Sequence, residues 1–305
     1  VRNPQALIST SELEAILGDP SLRVFDCTTT TVPPPPGSDV PRIAVPGWQA
    51  FEEAHILGAD FVDIQGEFSD QTTKLRCMMA PIPLMEAAFG RHGVGPGTRV
   101  VLYSTGSMMM STRFWWMLRA LGVDAAVLDG GFDKWRADGR PVESGKAKGY
   151  PAATFRAAPR SRMFVDRTVV LGELRHPGTV IVNALNDDLH KGVGPSRYGR
   201  PGRIPGCVQV STATLVDPAT KGFVPLADAG AKFAANGVTR DKGQAHHLLL
   251  RRAASRPRST SSCSINSATT TSPSTMRRWA SGPGMRRCRS KPVEAHSLFD
   301  GWRTR

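Results

Sequence analysis

The sequence predicts an α/β protein of two similar halves, each a parallel sheet flanked by helices, with the second half incomplete. Three observations point there. Short apolar runs of strand type alternate with amphipathic stretches ended by glycine, and strands separated by helices form parallel, wound sheets because parallel neighbours need a crossover. The pattern then begins again: "TVIVNAL" (179–185) repeats "LRVFDC" (22–27), and "RIPGCVQV" (203–210) repeats "HILGADFV" at an offset of 148. Likewise "GAKF" to "NGVTRDKG" repeats "EAAFGRHGVGPGTR" at an offset of about 144. Finally, the pattern breaks off after Gln244, where "AHHLLLRRAASRPRSTSSCS" gives way to arginine, serine and threonine.

Each element follows from its residues. Ser9 with Glu12 three places on forms a capping box, so a helix opens at Thr10. "LRVFDC" is a buried strand, followed by the Pro/Gly-rich stretch "VPPPPGSDVPRIAVPG", which reads as a long loop. "HILGADFVDI" (55–64) gives a turn leading into a strand. "PIPLMEAAFGRHGV" is a helix stopped by glycine, "TRVVLYSTGS" a buried strand running into a Gly/Ser loop, and "STRFWWMLRALG" an amphipathic helix ended by Gly122. "AAVLDGG" is a strand and "FDKWRADG" a short helix. The Gly/Pro/Ala-rich segment near 144–160 joins the halves, placing a boundary at about 150.

Length and composition suit two ordinary globular cores, at 305 residues with 40% hydrophobic and 21% charged. No run of apolar residues is long enough to span a bilayer, and "VRNPQALIST" lacks the basic and apolar regions of a secretory signal. The net charge of +13 is misleading until it is located. Residues 245–305 hold 12 Lys+Arg against 2 Asp+Glu, whereas residues 1–244 hold 27 against 24. The body therefore gives no electrostatic reason to bind nucleic acid. Five scattered cysteines (Cys27, Cys77, Cys207, Cys263, Cys288) with no C-x-x-C argue against a disulfide framework or a zinc site. They suit a reducing cytoplasm. His246-His247 lacks further ligands at a workable spacing, so no metal is expected.

Several motifs, in order and twice, resemble the tandem-domain rhodanese family, the thiosulfate and 3-mercaptopyruvate sulfurtransferases. "HILGAD" and "YGRPGRIPGCVQV" are similar to the family's H-I-P-G-A turn, with Leu57 in place of the proline in the first copy and Arg203 in place of the histidine in the second. "VVLYSTGS" with "RFWWMLRALG" resembles the first domain's central strand, loop and helix, and "AAVLDGGFDKWRADGRPVESG" its ending. The resemblance covers roughly residues 5–244. It implies a non-catalytic rhodanese-like domain at 1–148, the N-terminal part of a normally catalytic domain at 149–244, and a basic, disordered or frame-shifted tail at 245–305.

The implied chemistry is transfer of a sulfane sulfur from a small donor, thiosulfate or mercaptopyruvate, to cyanide or a thiol through a cysteine persulfide in the second domain. No cofactor is implied, no membrane, and no nucleic-acid partner. A loop whose N–H groups turn inward, backed by a helix N-terminus, stabilises the thiolate such chemistry needs. In the first copy Ser104 stands where the nucleophile would, without a His/Asp partner in the sequence beside it, and reads as part of a structural loop. Activity through Ser104 or Cys77 is the alternative to that reading. Arg113 is a helix residue facing the interior, the pocket or the domain interface, like Trp115 and Trp116, and Arg203 is a further pocket or interface candidate.

The second-domain nucleophile is expected near Leu249 and Leu250, yet residues 245–252 contain no cysteine, and Cys263 comes about fourteen residues late. The chain itself therefore reads as inactive or strongly impaired. Two nearby changes of reading frame, near 245 and 252, account for this. Over 259–285, the last base of each codon with the first two of the next permits L-V-L-L-H-Q-L-G-H-D-D-I-A-V-Y-D-A-S-M-G-E-W-A-R-D, a helix, a strand and a helix. The other offset over 246–252 permits I-T-Y-C ahead of glycines. On that reading residues 245–305, with 17 Ser+Thr and 11 Arg, are disordered and the second sheet is left with a bare central edge. The competing interpretation is a non-catalytic protein whose basic tail binds nucleic acid or acidic partners. The tail lacks interleaved aromatics for stacking on bases, which disfavours it.

Overall fold

A computed structural model describes residues 6–37, 43–73, 75–193 and 202–239, and the backbone of 245–252 and 265–269. Val1–Thr269 form one compact unit; Thr270–Arg305, a second, lie outside the described residues.

The first half begins with β1 (Leu7–Ile8) and α1 (Thr10–Glu14). The Ser9 hydroxyl accepts the Glu12 amide while the Glu12 carboxylate accepts the Ser9 amide, so the capping box forms as the sequence predicts. β2 (Leu22–Asp26) follows, then β3 (Thr29–Val32) and β4 (Ile43–Pro46), which pair antiparallel. The flanks of the expected Pro-rich loop are thus a hairpin: the prolines at 33–36 follow β3, outside the ladder, and Pro46 stands at the end of β4 opposite Thr29. α2 (Trp48–Glu53), β5 (His55–Ile56) and β6 (Asp60–Phe61) lead to α3 (Ile82–Arg91) and β7 (Arg99–Tyr103). α4 (Met109–Ala120), β8 (Ala125–Leu128), α5 (Gly131–Ala137) and β9 (Val142–Glu143) complete it.

The first sheet has the order β1-β8-β7-β2-β6 and every pair is parallel. Alternation along β7 divides the core. Val100 and Leu102 face Phe89 of α3 and Phe114 and Leu118 of α4, whereas Val101 and Tyr103 face Leu13 of α1 and Phe132 and Trp135 of α5. The connecting segment seals one end. The Tyr150 hydroxyl accepts the Val24 amide and donates to the Gly58 carbonyl, and Ala153 donates to Gly90.

In the second half α6 (Arg167–Glu173) is capped by Asp166, and β10 (Thr179–Asn183) and α7 (Asp187–Lys191) follow. β11 (Val208–Gln209), a short 3-10 turn at Thr212–Leu215 and α8 (Leu226–Ala234) come next. The second sheet has the order β11-β10-β12-β13, with β12 at Ala245–Arg252 and β13 at Ile265–Thr269. The second half thus repeats the order of β2, β6, α3 and β7 in β10, β11, α8 and β12. β12 is parallel to β10, as β7 is to β2, but β13 is antiparallel to β12. Two expectations are corrected here. The region after Gln244 is not wholly without structure, and the edge of β12 is paired rather than bare. The backbones of β12 and Ile265–Thr269 can satisfy each other whatever reading frame produced them.

Candidate functional site

The carboxyl ends of parallel strands are where α/β folds place ligands, so the two central strands define the sites to compare. In the first half β7 ends at Tyr103, opposite Asp26, and the chain leaves the sheet at Ser104. Ser104 is buried; its hydroxyl donates to the Ser107 carbonyl (2.7 Å) and meets the Ser111 hydroxyl at 3.2 Å. Neither a carbonyl nor a serine hydroxyl can take up its proton, so nothing in these contacts activates it as a nucleophile.

The loop after it has the form of an anion cradle but holds its own groups. Thr105 donates its amide to the Thr28 hydroxyl (3.0 Å), and Gly106, at φ +73°, donates to the Asp133 carboxylate (2.7 Å). Beneath lies Asp26, whose carboxylate accepts the Thr28 amide (2.7 Å) and hydroxyl. Burial pushes the Asp26 carboxyl up to about 6, against the hydrogen bonds from Thr28. Burial also raises the neighbouring Cys27 thiol, which leaves it inert.

In the second half the Asn183 side chain accepts the Leu185 amide (2.9 Å), as Asp26 accepts that of Thr28. That shared turn fixes the register. Val182 pairs with Leu249 and Asn183 with Leu250, so Leu250 stands where Tyr103 stands and Arg251 follows as Ser104 does. Where the first half turns away, β12 runs on to Arg252, which pairs with Ile265. No cysteine lies in β12, and Cys263 is outside the described residues.

The remaining candidates are not brought together. Arg113, half-buried on α4, donates to the Cys77 carbonyl (3.0 Å) and lies 5.2 Å from the Phe164 ring, pinning two loops to the helix. Arg203 is exposed and reaches the His190 carbonyl at 3.5 Å. Burial, and then the Arg203 charge, lower the His190 imidazole. Arg203 occupies the place of His55, which is buried, stacked on Phe51 at 3.9 Å and hydrogen-bonded to its carbonyl (2.7 Å). Among the described residues no three His, Cys, Asp or Glu side chains are placed to hold a metal ion, and no helix is long and apolar enough to cross a membrane.

Sequence reasoning missed two features. His92 bridges Asp60 (2.7 Å) and Glu67 (3.2 Å). Burial opposes its charge, but hydrogen bonds to the two carboxylates carry it up to about 9. Asp129, in the turn after β8, accepts the Phe223 amide of the second half (2.8 Å), joining the halves beside the Ser104 loop. The only sequence signal for these was that Asp60 and Asp129 lie inside the repeated-looking "HILGAD" and "LDGG" turns.

This fold and this pair of strand ends define a rhodanese-type protein. The rhodanese-like domain profile matches residues 9–138. Its relatives include the 3-mercaptopyruvate sulfurtransferase of Escherichia coli K12, 29% identical over 230 residues, 74% of this chain and 77% of that one. The human 3-mercaptopyruvate sulfurtransferase is 34% identical over 176 residues, 56% and 59% of the respective chains. The crystal structure of SseA from Escherichia coli matches with a TM-score of 0.63 and 27% identity, over 77% of this chain and 85% of that one. The Tum1 protein of Saccharomyces cerevisiae, at 20% identity and a TM-score of 0.64, shares the fold.

Proposed function

We propose that this chain is a tandem sulfurtransferase by descent and is itself inactive or strongly impaired. The reaction of its lineage moves a sulfane sulfur from 3-mercaptopyruvate or thiosulfate onto a cysteine of the second half, and from that persulfide to a thiol or cyanide. The relatives' activities support the reaction class. One observation carries the impairment: the strand paired with β10 holds Leu250 and Arg251 at the positions of Tyr103 and Ser104, contains no cysteine, and continues as strand through Arg252. Without a thiolate there is no acceptor for the sulfur, and without the loop there are no N–H groups to ionise one. On this reading residues 1–148 form the non-catalytic domain, 149–244 the start of the catalytic domain, and 245–305 an out-of-frame continuation.

The test is thiocyanate or sulfide release from thiosulfate and from 3-mercaptopyruvate by the chain as given and by a chain with its frame restored after Gln244. The proposal expects turnover only from the restored chain. Equal turnover by both would contradict it.

A further inference from the structure

A bowl of about 360 Å³ opens at the start of β2, at the other end of that strand from Asp26 and the Ser104 loop. It is lined by the first three residues of β2, by Leu17 and Asp19 ahead of them, by Leu57 in the turn between β5 and β6, and by Tyr150 of the connecting segment. Much of this lining is hydrocarbon within reach of solvent: Leu57 is 45% exposed and Leu17 is half-buried. The turn beside Leu57 is open, since a Cβ on Gly58 would meet no atom within 4 Å.

Arg23 brings a cation into this lining. Its Nε donates to the Gly93 carbonyl and its Nη1 to the carbonyls of Pro20 and Leu22, all at 2.8 Å, and the guanidinium lies 4.7 Å from the centre of the Tyr150 ring. These contacts fix the fork, yet every partner is neutral. Nη2 keeps its donors to spare, and no carboxylate among the described residues pairs with Arg23. The carboxylates nearby are engaged elsewhere. Asp19 accepts the Ser21 amide (2.8 Å) and hydroxyl (2.7 Å), and Asp60 is held by His92 (2.7 Å). Glu143 accepts the Gly58 amide and the Lys148 ammonium, both at 2.6 Å. A fixed, half-buried guanidinium with unused donors, set beside open hydrocarbon, recognises an anion that carries an apolar body.

We infer that this bowl binds a small organic monocarboxylate, with its carboxylate on Arg23 and its aliphatic or aromatic body against Leu17 and Leu57. The site is separate from both central strand ends and does not depend on the sulfurtransferase reading. It spans β2 and the connecting segment, which meet where the Tyr150 hydroxyl accepts the Val24 amide (2.9 Å). Occupancy therefore slows hydrogen exchange of that amide.

The experiment titrates the full chain with cyclohexanecarboxylate by calorimetry, alongside cyclohexanecarboxamide and cyclohexylammonium, which keep the ring and change the charge. Exchange of the Val24 amide is followed in parallel. The expected result is saturable binding of the carboxylate, about tenfold or more weaker binding of the amide, none of the ammonium, and slower exchange at Val24. Leu57→Asp and Leu57→Lys remove the same apolar contact from an exposed position but place opposite charges at the rim. The first is expected to weaken carboxylate binding about tenfold or more and the second much less. Arg23→Gln is expected to erase the preference for carboxylate over amide. Because Arg23 also holds Gly93 and Tyr150, the two Leu57 variants decide the matter if that variant fails to fold. No saturable binding, equal affinity for carboxylate and amide, or equal losses in the two Leu57 variants would overturn the site.

Discussion

Up to Val238 the two halves obey one set of instructions, and after it they part. β2 and β10 end in the same side-chain-to-amide turn, and β6 and β11 pair with them in the same register, Asp26 with Phe61 and Asn183 with Gln209. Gly58 and Gly206 turn at φ +76° and +75°. Yet the first half closes its core with α4 and β8, and the second has no such helix among its described residues. The lesson is that local structure is written locally and survives, whereas burial is collective. α8 is as well capped as α3 but buries none of its residues.

Restoring the reading frame is expected to produce the largest change. Sulfur transfer should rise by on the order of 10³-fold or more, the scale on which removing a nucleophile acts. Arg251→Cys alone should recover almost none of it, because β12 continues in place of the loop. Initial rates with both donors check this, and strong activity from Arg251→Cys alone would break the comparison.

Packing gives the next effect. Phe89→Ala removes a fully buried ring and should cost about 3–5 kcal/mol, whereas Phe233→Ala should cost about 1 kcal/mol or less. Urea midpoints of the two variants measure the difference. Gly93→Ala and Gly237→Ala both force alanine into the left-handed region, at roughly 1–2 kcal/mol each. Only at Gly93 would the new Cβ also meet Tyr150 Cβ at 2.6 Å and the Pro151 carbonyl at 2.8 Å, so Gly93→Ala should be clearly the worse of the two.

The His92 bridge sharpens the contrast through pH. The second half carries Asn236 and Val208 at the positions of His92 and Asp60 and has no counterpart. His92 is raised to about 9 in the folded chain against an ordinary value of 6.5. Its stabilisation is therefore complete below about pH 6.5 and disappears as the pH rises through about 9, on the order of 3 kcal/mol in all. The urea midpoint of the first half should fall between pH 7 and 10, and His92→Gln should flatten that fall. A wild-type midpoint that holds steady to pH 10 would contradict the assignment. Asp133→Asn, which weakens the carboxylate filling the Ser104 loop, should cost about 1 kcal/mol.

Features encoded by neighbours were legible in the sequence. The Ser9–Glu12 box, the glycine-stopped helices and β7 as a buried strand were all readable from the local sequence. The β3–β4 hairpin was hidden because its prolines dominate the composition of "VPPPPGSDVPRIAVPG", while its pairing joins residues on either side of them. Likewise the filling of the Ser104 loop by Asp133 and Thr28 depends on residues distant in sequence, as does the Asp129–Phe223 contact. β13 had no signal at all, since its pairing with β12 arises from generic backbone satisfaction.

The central claim concerns bases, so the most direct measurement is the nucleotide sequence across codons 240–305. The account predicts third bases that spell I-T-Y-C ahead of glycines at the first offset and L-V-L-L-H-Q-L-G-H-D-D-I-A-V-Y-D at the second. It therefore requires a C at the end of the Ile265 codon, because a T there would read as a stop across Ile265 and Asn266. Stop codons or unrelated residues in the shifted frames would contradict it.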